Sequence, residues 1–128
     1  MRFLIYILLF NVVINASHIS WYGDYESAHR EALKQNKHLL VLLVDKSKVV
    51  KELIQSTFMN QEYVQLINEN FISVLVVKGQ NSSYPIELLY TLEYPALFFL
   101  DKYELYSCKP LEGVITPSLV EKHLKSCF

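Results

Sequence analysis

Apolar residues along this chain fall into two kinds of run, one spaced at helical intervals and one unbroken, and the two kinds alternate. The segment DYESAHREALKQNK places Tyr25, Ala28, His29, Ala32 and Leu33 along one side of a helix, with Asp24 positioned as its N-cap. HLLVLLVD follows, apolar without interruption from Leu39 to Val44. A strand covered on both faces reads this way, because helices pack on either side of a mostly parallel sheet. SKVVKELIQSTFMN returns to helical spacing through Val49, Val50, Leu53, Ile54 and Phe58, and QEYVQLINEN repeats it with Val64 and Ile67. FISVLVVK, from Phe71 to Lys78, is a second buried strand rich in β-branched residues.

The C-terminal half carries more punctuation. GQNSS is a loop by composition, and PIELLYTLE predicts a short helix with Pro85 at its first position. After Tyr94-Pro95, ALFFLD predicts a third strand, and Asp101-Lys102 turns the chain into a fourth, from Tyr103 to Cys108. Thr116 and Pro117 then open a final helix whose apolar face is Leu119, Val120, His123, Leu124 and Cys127. Alternation of this kind, closed by a hairpin, predicts an α/β sandwich around a mixed sheet.

The first seventeen residues, MRFLIYILLFNVVINAS, stand apart from that body. Arg2 is a short positive start, Phe3 to Ile14 is apolar except for Asn11, and the small residues Ala16 and Ser17 follow. That order is the pattern of a secretory signal peptide, and the run falls short of the about 20 apolar residues of a spanning helix. The expected organisation is a signal peptide over 1–17 and one domain over 18–128, with localisation in the periplasm or another exported compartment. A membrane contact is expected only through an uncleaved signal.

Composition narrows the function. Of 128 residues, 52% are hydrophobic and 20% charged, which suits one globular domain with a substantial core. Twelve Lys plus Arg stand against thirteen Asp plus Glu, a net charge of −1. Neither sign dominates, so no attraction to a nucleic-acid backbone or an anionic surface is expected. His18, His29, His38 and His123 are scattered over different elements without metal-ligand spacing, and no metal or cofactor is expected. No Gly-rich phosphate loop or serine-elbow pattern occurs.

The order of elements resembles the thioredoxin fold, and local residues agree with it. Trp21 and the helix ending at Asn36-Lys37 are similar to the lead-in of small exported bacterial thioredoxin-like proteins. KELIQSTFMNQEYVQLINENFISVLV resembles the remainder of the family's active-site helix and the strand after it. Tyr94-Pro95-Ala96 followed by LFFLD resembles its cis-proline loop, and Gly113 its glycine before the last helix. The resemblance runs from about Trp21 to Cys127. It implies a mixed central sheet flanked by helices, in the order helix-βαβαββα, with a cis Tyr94–Pro95 bond.

This sequence departs from the family where the chemistry resides. Aligned on Lys51, Ser47-Lys48-Val49-Val50 occupies the place of Cys-x-x-Cys, and no cysteine precedes Cys108. Thioredoxin exchange needs a thiolate of lowered pKa at a helix N-terminus and a second thiol to resolve the mixed disulfide. Ser47 can cap that helix but cannot attack a disulfide. With the redox pair absent, the resemblance implies a non-catalytic module that binds a peptide or partner protein in the groove between Ser47, Val50, Tyr94 and Pro95. The tyrosines Tyr84, Tyr90 and Tyr94 gather beside that loop, where they serve either as a binding surface or as packing under it.

Cys108 and Cys127 leave one intramolecular pairing, which export would favour. The strand leg from Cys108 to Gly113 and the returning helix leg to Cys127 nearly cancel, which brings the two together. A structural disulfide is therefore expected, with two separately buried thiols as the alternative. Two further roles stay open: a thiol-disulfide oxidoreductase acting through that pair, and a structural subunit of a redox or cofactor-assembly system.

Overall fold

The computed structural model describes residues 18–45, 58, 61–79 and 84–128. The expected signal segment and the Ser47–Val50 segment lie outside them. The described elements are β1 (Trp21–Tyr22), α1 (Tyr25–Gln35), β2 (His38–Val44), α2 (Gln61–Asn70), β3 (Phe71–Val77), β4 (Ala96–Leu100), β5 (Leu111–Glu112) and α3 (Pro117–Ser126). The strands form one mixed sheet in the order β1-β3-β2-β4-β5. β1 and β2 run parallel to β3, and β4 runs antiparallel to both β2 and β5.

Local chemistry sets the helix ends. The Asp24 carboxylate accepts the Ser27 N–H at 3.0 Å and the Ser27 hydroxyl at 2.6 Å, which fixes the start of α1. Those two bonds hold the Asp24 carboxyl below its ordinary range. Asn36, with φ 55°, ends the helix in the left-handed conformation while its N–H returns to the Ala32 carbonyl. Thr116 caps α3 through the Leu119 N–H at 3.3 Å, with Pro117 in the first turn.

The unbroken apolar strands are explained by two packing layers. Leu40, Leu42, Leu97 and Phe99 face α2 and α3, meeting Val64, Ile67, Val120 and Leu124. Leu39, Val41, Leu43, Phe98 and Leu100 face α1, where Tyr25, Ala28 and Ala32 are buried against them. Alternate side chains point to opposite faces, so a sheet covered on both sides needs an apolar residue at every position. Leu33, which the helical spacing places on the inner face of α1, is instead 44% exposed.

Three further expectations change. Trp21 and Tyr22 form a strand that the sequence pattern did not show, because two residues are too few for a period to register. No helix forms over PIELLYTLE: one bond from the Leu89 N–H to the Pro85 carbonyl, at 3.0 Å, closes a turn that goes no further. There Thr91 Oγ1 donates to the Glu93 carbonyl at 2.8 Å and accepts the Glu93 N–H at 3.2 Å, so a side chain takes over local backbone bonding. The strand expected over Tyr103–Cys108 is a turn, with a single bridge from Tyr106 to Leu100, and the pairing strand comes later at Leu111–Glu112. Asp101 Oδ1 gathers the N–H groups of Tyr103 and Leu105 at 2.8 and 3.0 Å, and Glu104 turns at φ 66°.

Candidate binding cleft beside the Tyr94–Pro95 loop

The C-terminal ends of β2 and β3 meet the start of β4 at one end of the sheet. The Lys78 N–H reaches the Val44 carbonyl at 2.8 Å, closing the ladder between the two parallel strands. The Tyr94–Pro95 bond is cis, as the resemblance implied. The buried Pro95 offers its carbonyl to the Gly113 N–H at 2.9 Å, which ties the loop to the β4–β5 hairpin. Gly113 sits at φ 78°, the left-handed region that favours glycine, and a Cβ there would meet only the movable end of the exposed Glu93 side chain. Among the described residues, no hydrogen bond engages the backbone N–H or C=O of Tyr94.

A cleft of about 390 Å³ opens beside this loop. Leu43 and Leu89 form its buried floor. Tyr84 and Tyr94, half-buried, pack against the same core layer. The rim is apolar and faces water: Ile86 is 63%, Tyr90 64% and Leu92 82% exposed. Of the three tyrosines grouped by the sequence, Tyr84 and Tyr94 therefore both pack and line, whereas Tyr90 is chiefly surface. Lys78 also lines the cleft, its ammonium 5.0 Å from the centre of the Tyr94 ring, a cation–π distance. Of the expected groove residues, Tyr94 lines the cleft, and Pro95 is buried next to it and is not among the lining residues. Ser47 and Val50 lie outside the described residues.

The cysteines belong to the other side of the sheet. Cys108 and Cys127 are paired, with Cα atoms 5.8 Å apart, and no free cysteine remains. Cys108 packs against the layer that holds Phe99, Val120 and Leu124, whereas the cleft is built on the layer that holds Leu43 and Leu89. Cys127 is the C-cap of α3. The His123 ring beside it reaches the carbonyl oxygens of Leu119 and Lys109, each at 3.1 Å, and lies 5.2 Å from the Phe99 ring.

Sequence reasoning missed one polar cluster. The Tyr25 hydroxyl donates to Glu104 Oε2 at 2.7 Å, and His29 Nε2 donates to the Lys102 carbonyl at 2.9 Å. His29 Nδ1 lies 3.7 Å from Glu104 Oε1. Burial, with the Glu104 hydrogen bond second, pushes the Tyr25 phenol far above its ordinary range, so it stays a donor. The cluster fastens the turn after β4 onto α1. The sequence signal was only that His29 lay beside an apolar helix face, since its partners are over seventy residues away. Among the described residues, no three His, Cys, Asp or Glu side chains are grouped to hold a metal ion, and no helix is long and apolar enough to cross a membrane.

Comparison with solved structures places the architecture. The chain superimposes on a structure described as DsbH oxidoreductase with a TM-score of 0.68, covering 88% of this chain and 89% of that one at 15% identity. The fold is thioredoxin-like. A thioredoxin from Thermus thermophilus gives a TM-score of 0.64 over 82% of this chain and 84% of its own, at 12% identity. No family model matches the sequence, and no curated protein matches it. Both likenesses are of fold, and the two cysteines of this chain, Cys108 and Cys127, do not form a Cys-x-x-Cys motif.

Proposed function

We propose that this chain is a non-catalytic thioredoxin-like module of the bacterial envelope that holds an extended peptide or a partner protein at the cleft beside Tyr94–Pro95. The observation that carries the reading is the exposed apolar rim of Ile86, Tyr90 and Leu92 around a floor of Leu43 and Leu89. Exposed large apolar side chains gathered around one cleft are the kind of patch that marks an interaction surface. Tyrosine suits such a surface because it joins apolar area to a polar tip. The Tyr94 backbone N–H and C=O, which no described residue engages, suit a chain lying alongside in extended form. Redox exchange at the helix start is not available, since no cysteine precedes Cys108.

The test pairs the wild-type chain with Leu92→Asp, a change at an exposed position. Partner protein retained from an envelope extract by the wild type is expected to be lost with the variant, while thermal unfolding stays the same. Equal retention by both removes the cleft from the function. Mature protein isolated from the envelope should begin near Ser17 or His18. An intact Met1 on a cytosolic protein removes export.

A second reading, thiol-disulfide oxidoreductase, is favoured by the half-buried Cys108–Cys127 pair. It requires insulin reduction with dithiothreitol above background that disappears in Cys108→Ala. The position of the pair across the sheet from the cleft supports the binding reading instead.

A further inference from the structure

The described residues that line the cleft are aliphatic and aromatic apart from Thr91 and Lys78, and three of them are tyrosines with polar tips. Lys78 is the single charged side chain among the described residues that line it, and Thr91, a buried wall residue, spends its hydroxyl on Glu93 backbone groups. Glu87 and Glu93, the acidic residues of the same segment, are exposed and line no part of the cleft. Among the described residues, no carboxylate lies within 4 Å of the Lys78 ammonium. It lies instead over the ring of Tyr94, whose backbone N–H and C=O no described residue engages. A positive charge at an aromatic wall, beside exposed Ile86 and Leu92, is complementary to an anionic group carried on an apolar chain.

From this juxtaposition we infer that the cleft selects an extended peptide segment in which one acidic side chain is flanked by apolar ones, with Lys78 reading the acid. The inference rests on the peptide-binding reading and specifies its ligand. An internal acidic side chain is assigned because a peptide backbone lying along Tyr94 presents side chains, rather than a chain end, to the cleft walls. Alternate residues of an extended chain point the same way, so apolar neighbours two positions from one another fill the rim while the acid turns toward Lys78.

The probes are fluorescein-labelled, end-blocked peptides with serines at the ends and leucines around one central residue, which is glutamate, glutamine or lysine. Fluorescence polarisation with the full chain is expected to rank them glutamate, then glutamine, then lysine. The glutamate probe should bind about three- to fivefold tighter than the glutamine probe, the scale of a solvent-accessible ion pair. In Lys78→Gln that gap closes. In Lys78→Glu the order reverses. In about 1 M salt the wild-type gap shrinks, since an accessible pair is screened. Equal binding of all three probes, or a gap that survives Lys78→Gln, overturns the acidic preference and leaves peptide binding standing. No binding by any probe overturns both. A fourth probe, central glutamine with a free C-terminal carboxylate, separates chain ends from side chains: if it binds as tightly as the glutamate probe, the cleft reads a terminus and the assignment is wrong.

Discussion

The two faces of the sheet are covered by different means. On one face, α2 and α3 lay helical stripes of Val64, Ile67, Val120 and Leu124 over the strands, and the last segment is fastened repeatedly. The Cys108–Cys127 pair, the His123 ring against the Lys109 carbonyl, and Phe128 packed 4.7 Å from the Phe71 ring all hold it. On the other face, α1 comes close through Ala28 and Ala32, which are fully buried. Beyond α1 the covering is the irregular stretch around residues 84–94, which buries Leu89 and turns Ile86, Tyr90 and Leu92 outward. A helix presents a continuous stripe to a sheet. An irregular segment has no fixed period, so it can bury one residue and expose the next. The face closed by periodic elements is covered by continuous apolar stripes, and the face closed by an irregular segment leaves Ile86, Tyr90 and Leu92 exposed.

The sharpest test of that contrast is Leu89→Ala, which removes the buried apolar anchor of the irregular segment. It should lower unfolding free energy by about 4 kcal/mol, as fully buried leucines do, and abolish probe binding at the cleft, both read by denaturant titration and polarisation. Cys108→Ala with Cys127→Ala comes next, acting on the other face. Opening a loop between residues 19 apart should cost about 3 kcal/mol and leave probe binding unchanged. Loss of binding in that double variant would couple the faces and break the comparison. Thr116→Ala, which removes the α3 cap, should cost about 1 kcal/mol with binding again intact.

The smallest effect is a pH dependence confined to the fastened face. The Lys125 ammonium at 2.7 Å and the Tyr63 hydroxyl at 3.0 Å hold the Glu121 carboxyl below its ordinary range. A carboxyl whose folded pKa lies below its unfolded one binds protons more readily in the unfolded state. Its contribution is complete above the unfolded value and falls away as pH drops through the folded one. Glu121 is exposed, so the slope in melting temperature below the ordinary glutamate range should be slight, and it should be absent in Glu121→Gln. A slope of equal size in that variant would assign the acid sensitivity to other groups.

Most of this architecture was written in local pattern. The caps Asp24 and Thr116, the helices α1, α2 and α3, and the buried strands β2, β3 and β4 each announce themselves within a dozen residues, because capping and periodicity are local physics. The cysteine pairing was also within reach, since two cysteines allow one bridge and the legs between them are regular. Other features depended on residues brought from far along the chain. β1 exists because Trp21 and Tyr22 meet Ser73 and Val74, and no two-residue stretch can declare a pairing by itself. PIELLYTLE has helical residues but gives up the helix where Thr91 binds Glu93 and Pro95 locks onto Gly113. The Asp101 carboxylate converts an apparent strand into a turn, which Tyr25 and His29 then clasp. The candidate site follows the same division: sequence alone selected Tyr94, Pro95 and the tyrosines near them, and only the tertiary fold placed Lys78 over the Tyr94 ring, because that contact joins the end of one strand to the loop before another.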